Sequence, residues 1–147
     1  FLPFSCLRLK APLPGDKRYP KTLKTLGDHI RKHRLDIGLS QGDVASILQI
    51  SRVTLRKWEL NWGKPSIKYV PAIIKFLGYN PLPHAESFSQ RLNYARKTRG
   101  LTKEEMAAFL GVNVQTLVAW ERGESLPRRK RMAMLEQMIN RFLENKE

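Results

Sequence analysis

The chain has 147 residues, 41% of them hydrophobic, a formal net charge of +14 and one cysteine. The lone thiol, Cys6, excludes an intrachain disulfide framework and suits a reducing cytoplasm. With no long apolar run and no basic amphipathic helix left with a free apolar face, a membrane-bound reading is excluded too, so the excess of cations points to nucleic acid as the polyanionic partner.

Residues 1–20 open without methionine, as a truncated reading frame would, and form a basic, Pro-rich leader. Pro3, Pro12, Pro14, Gly15 and Pro20 forbid a helix through it. It lacks the charged start and small-residue cleavage site of a signal peptide. The reading is a flexible leader; the alternative is a basic arm that enters a DNA groove.

A first domain is expected over residues 21–83. Thr25 caps a helix from Leu26 to Asp36 that ends at Gly38 and has Leu26, Ile30 and Leu35 on its apolar side. His29 and His33 lie one turn apart on it, but no third ligand has metal-binding spacing, so they are read as exposed histidines and no cofactor is expected. Ser40 then caps Gln41 to Leu48, whose apolar face is Val44, Ala45, Ile47 and Leu48. Gln49-Ile50-Ser51 breaks the period, and Ser51 caps a helix that buries Leu55 and Trp58 while Arg52, Val53, Arg56 and Lys57 point outward. A loop from Leu60 to Pro65 leads to a helix through Tyr69, Val70, Ile73, Ile74, Phe76 and Leu77, with Pro71 in its first turn and Gly78 at its end. The following Tyr79-Asn80-Pro81-Leu82-Pro83 is short and stiff, so packing should largely fix how the domains are placed.

A second domain is expected over residues 84–147. It starts near Ser87 with Phe88, Leu92 and Ala95 as a buried face. The stretch LTKEEMAAFLGVNVQTLVAWE then repeats the earlier LSQGDVASILQISRVTLRKWE. Leu39 pairs with Leu101, Ala45 with Ala107, Leu48 with Leu110, Leu55 with Leu117, Trp58 with Trp120 and Glu59 with Glu121, always 62 residues apart and without a gap. Thr102 and Glu105 form a capping box, Gly111 supplies the turn and Asn113 caps the next helix. Arg128 to Glu144 closes the chain with a stripe of Met132, Leu135, Met138, Ile139 and Phe142, long enough to leave apolar surface for the first domain or for a second chain. The first domain is the more basic, since residues 20–83 carry eleven Lys/Arg against four Asp/Glu and residues 84–147 carry twelve against eight.

Two short helices joined by a tight turn, given twice, resemble the lambda-repressor-like, Cro-type helix-turn-helix family. The resemblance extends to Gly38-Leu39 and Gly100-Leu101 before the second helix, and to an arginine one helix earlier, Arg34 or Arg96, facing the glutamate that closes the recognition helix, Glu59 or Glu121. It implies an all-α fold of two tandem four-to-five-helix domains. One departure is Gln49, where relatives have Gly; a left-handed backbone there costs glutamine about 1 kcal/mol, so a slightly reshaped first turn is expected.

The resemblance further implies a sequence-specific, double-stranded DNA-binding regulator of transcription. Arg52, Val53 and Lys57, with Val114, Gln115 and Ala119, would meet base edges in the major groove. Gln41, Ser51 and Lys64, with Lys103, Asn113 and Arg122, would meet phosphates. Arg34–Glu59 and Arg96–Glu121 would be structural ion pairs, because an anion at a helix C-terminus needs compensation. No paired carboxylates, nucleophile set or phosphate-cradling loop suggests an enzyme. The competing reading is a protein-interaction module, such as an antitoxin subunit or an accessory factor of a DNA-acting enzyme; a homodimer or other protein partner is compatible with either.

Overall fold

The computed structural model describes residues 18–144, and every regular element in them is helical. Most of the leader therefore lies outside the described residues. The chain divides between Pro81 and Leu82 into two compact units.

The first unit holds α1 (Leu26–Asp36), α2 (Gln41–Ile47), α3 (Arg52–Glu59), a 3-10 turn (Ile67–Tyr69) and α4 (Val70–Leu77). Its starts are chemically marked. Thr25 with Asp28 and Ser40 with Asp43 close reciprocal capping boxes, and the Ser51 hydroxyl accepts from the Thr54 amide, which satisfies amides that no helical carbonyl reaches. Ile30, Val44, Ala45, Leu48, Leu55, Trp58, Ile73 and Leu77 form the core. The α1 and α3 backbones touch at Gly27, where a Cβ would stand 1.9 Å from the Trp58 carbonyl oxygen. No side chain fits between them.

Two expectations about α2 and the turn after it are corrected in this unit. Ile47 is 55% exposed rather than part of the apolar face: at about 100° per residue, Val44, Ala45 and Leu48 share one arc and position 47 falls beyond its edge. The first turn, moreover, is not reshaped. Gln49 takes φ 54° where Gly111 takes φ 62°, and the closing bonds match, Ile50 N to Ala45 O at 2.9 Å against Val112 N to Ala107 O at 3.0 Å. The bond that closes the helix end requires the left-handed residue, so glutamine adopts it despite its side chain.

The second unit holds α5 (Phe88–Thr98), α6 (Lys103–Leu110), α7 (Val114–Arg122) and α8 (Arg129–Glu144). Ser87 with Gln90 and Thr102 with Glu105 make capping boxes, and Asn113 caps α7 through the Gln115 amide. The core is Phe88, Leu92, Ala95, Met106, Ala107, Leu110, Leu117, Trp120, Leu135 and Ile139. Helix α8 is sixteen residues long against eight for α4.

Candidate nucleic-acid interface

Helix α3 divides its side chains cleanly: Leu55 and Trp58 enter the core, and Arg52, Val53, Arg56 and Lys57 are exposed. Three cations thus share a solvent-facing surface on one short helix. The helix is held at its far end by Glu59, whose side chain is only 2% exposed. Arg34 Nε donates to Glu59 Oε1 at 2.7 Å and Nη2 to Oε2 at 2.9 Å, while Nη1 donates to the Leu39 carbonyl at 3.1 Å. Gln41 Nε2 adds a bond to Glu59 Oε2 at 2.8 Å. One carboxylate therefore ties α1, the start of α2 and the end of α3 together, and a fork-to-carboxylate pair fixes orientation as well as distance.

The second unit repeats the clamp with fewer parts. Arg96 Nε and Nη2 donate to Glu121 at 2.6 and 3.0 Å, and Nη1 to the Leu101 carbonyl at 3.2 Å. The outer face of α7 differs in chemistry. Gln115 is exposed, Val118 and Ala119 are half-buried, and Val114, which occupies the register of Arg52, packs against the core. Of the residues assigned to base edges, Arg52, Val53, Lys57 and Gln115 lie open to solvent, and Val114 and Ala119 only in part.

The residues assigned to phosphate are spread differently. Ser51 and Asn113 have their side-chain oxygens engaged as caps. Gln41 gives one amide hydrogen to Glu59, leaving its second. Lys64 and Lys103 are exposed, and Arg122 lies 3.4 Å from Glu124 on the surface.

Four features lie outside those singled out from the sequence pattern. Asn61 takes φ 59°, and its amide bonds Asp28 at 3.0 Å while its oxygen accepts from Thr25 Oγ1 at 2.7 Å, which fixes the exit of α3. Its alignment with Gly123 across the 62-residue repeat was the available signal. Trp62, next in the chain, is 72% exposed. Arg131 reaches back to the Leu110 and Gly111 carbonyls at 3.4 and 3.2 Å, steadying the turn before α7. The histidines are not simply exposed: His29 Nδ1 lies 2.7 Å from the Tyr79 hydroxyl, and the His33 ring meets Phe76 edge-on at 5.0 Å.

Electrostatics around this clasp are mild. Burial pushes the Asp28 carboxyl up, but hydrogen bonds from Asn61, Thr25 and Lys24 outweigh it and hold the group below the ordinary carboxylate range. Burial lowers His29, against an opposing pull from Asp28. Among the described residues no cluster of three or more His, Cys, Asp or Glu is placed to hold a metal, and no helix is long and apolar enough to cross a membrane.

The family model for helix-turn-helix proteins matches residues 30–83 and 92–141. No curated protein and no solved structure matches the chain.

Proposed function

Because the chain belongs to the helix-turn-helix family, whose domains generally bind double-stranded DNA, we propose that it is a sequence-specific DNA-binding regulator of transcription of the lambda-repressor-like, Cro-type kind. In this reading it works in the cytoplasm, needs no cofactor and catalyses nothing. The observation that carries it is the exposed cationic face of α3, Arg52, Arg56 and Lys57, on a helix whose orientation is fixed by the buried Arg34–Glu59 pair. A rigid helix of that size fits the major groove, where arginine matches the acceptors of guanine.

Arg52, Val53 and Lys57 then read base edges and Lys64, Ser51 and the start of α2 at Gln41 meet phosphates. Val114, Gln115 and Ala119, with Lys103 and Asn113 at the backbone, take the matching places in the second unit, and Arg122 meets phosphate from the end of α7. The apolar cast of α7 gives the units unequal shares: α3 supplies most of the electrostatic affinity, α7 a weaker readout, and the preferred site is asymmetric. Repeated selection of bound duplexes from a random pool with the full chain tests this. The expected outcome is an enriched, non-palindromic sequence whose binding weakens with salt at a log–log slope of about −0.9 per phosphate contacted. A pool that stays random defeats the reading. Enrichment of a perfect palindrome, with no protection attributable to α7, defeats the asymmetry alone.

A further inference from the structure

The second unit carries a surface built from none of the residues assigned to DNA. Helix α8 runs on after Ile139, its last buried residue, and its final turns meet the outer side of α6. Phe142 lies with its ring centroid 4.9 Å from that of Phe109, which is 46% exposed. Together with Met138, Arg99 and Arg141 they line an open groove of about 360 Å³. That is within the range of about 300 to 1,000 Å³ in which protein pockets accept ligand-sized groups.

The groove is built, not a fraying helix end. Arg99 Nε donates to the Phe142 carbonyl at 2.8 Å, Nη2 donates to the same oxygen, and the guanidinium carbon sits 4.9 Å from the centroid of the Phe142 ring. One cation thus holds both the backbone and the ring of a residue in the last turn of α8. Among the described residues the first unit has nothing comparable, because α4 stops at Leu77 and Ile47, in the register of Phe109, has no such helix extension beside it.

Charge decides what fits. Among the described residues, both ionisable ones that line the groove are arginines, with no carboxylate beside them. A second copy of this chain, at +14, would bring the same basic rim against it, and the leader, with Arg8, Lys10, Lys17 and Arg18, has the same sign. We propose that the groove formed by Arg99, Phe109, Met138, Arg141 and Phe142 docks an acidic amphipathic helix of a partner protein, which lays apolar side chains spaced i, i+4 over Met138 and the paired phenylalanine rings and sets carboxylates against Arg141. This is a docking mode in which apolar anchors give affinity and the charged rim gives selectivity. It is independent of the DNA-binding reading.

The test uses the full chain and two labelled fifteen-residue helical peptides with the same Leu and Phe anchors, one with glutamates and one with lysines at the flanking positions, followed by fluorescence anisotropy. The acidic peptide is expected to bind at least about tenfold more tightly than the basic one, and Phe109→Ala and Arg141→Glu are each expected to weaken it about tenfold. Both positions are exposed, so an unchanged thermal melt by circular dichroism separates lost docking from lost folding. Arg52→Ala with Lys57→Ala should leave peptide binding unchanged. The proposal is overturned if the peptides bind equally or not at all, or if binding follows the α3 cations instead of the groove. A dimer in sedimentation that Phe109→Ala dissociates would overturn it as well, since the occupant would then be a second copy.

Discussion

The two units share a fold and differ in what they show to solvent. At matching positions α3 carries Arg52, Arg56 and Lys57, and α7 carries Val114, Val118 and Ala119. The cores, by contrast, repeat almost residue for residue, with Ala45, Leu48, Leu55 and Trp58 answered by Ala107, Leu110, Leu117 and Trp120. Burial constrains the inner positions through packing density, where one methylene is felt. An outward position is free to change chemistry without unfolding the helix. Two copies of one scaffold can therefore hold different recognition surfaces.

The sharpest way to break the comparison is at its most similar feature. Glu59→Ala should cost about 3 to 5 kcal/mol, because it leaves Arg34 buried without its anion. Glu121→Ala should cost less, since Glu59 also holds Gln41 and no equivalent bond reaches Glu121 from Lys103 among the described contacts. Urea unfolding of the two variants checks the order; equal losses would mean that Gln41 adds nothing.

Next in size is the outer face. Arg52→Ala should cost about 1 to 3 kcal/mol on a selected duplex and relax preference at one base pair, whereas Val114→Ala should change both much less. Quantitative gel shifts on the selected site and its single-base variants read this out. If Arg52→Ala weakens every sequence alike, its contact is with phosphate.

The turns offer a reciprocal exchange. Gln49→Gly should stabilise the chain by about 1 kcal/mol and Gly111→Gln should destabilise it by about the same, because both positions are left-handed. Thermal melts of the pair, measured side by side, suffice. A destabilised Gln49→Gly would show that the glutamine side chain has a role that offsets its backbone cost.

The smallest expected effect is on pH. Asp28 and His29 are answered in the second unit by Gln90 and Arg91, so acid should weaken the first unit before the second. Both groups sit below their ordinary values in the folded state. The unfolded chain therefore takes up the proton first, and each contributes stability that is lost as pH falls. For His29 the loss begins near its ordinary value of 6.5, and for Asp28 near 3.8. His29→Gln and Asp28→Asn should flatten those two limbs of a stability-against-pH curve, and amide exchange resolved by residue would show which unit opens.

Much of the fold was legible because helix ends are written in local chemistry. Thr25, Ser40, Ser51, Ser87, Thr102 and Asn113 each stand one residue before a helix, and each accepts the bond its position demands. Ile47 was misplaced because its helix has only two turns, too few for the period to separate the edge of a face from its centre. The histidines were misplaced because their partners, Tyr79 and Phe76, lie beyond α3 in the chain, and no local pattern reports a contact made across 50 residues.

The sequence alone determined the all-helical class, the helix starts and the 62-residue recurrence, since capping, periodicity and repetition are properties of neighbours along the chain or of the chain compared with itself. Tertiary structure alone decided that Glu59 gathers Arg34 and Gln41, that Asn61 closes α3 onto Thr25 and Asp28, and that Arg99 fastens Phe142 beside Phe109. Those bonds join groups far apart in sequence, so their existence depends on angstrom-scale placement by the packed cores, which the order of residues does not display.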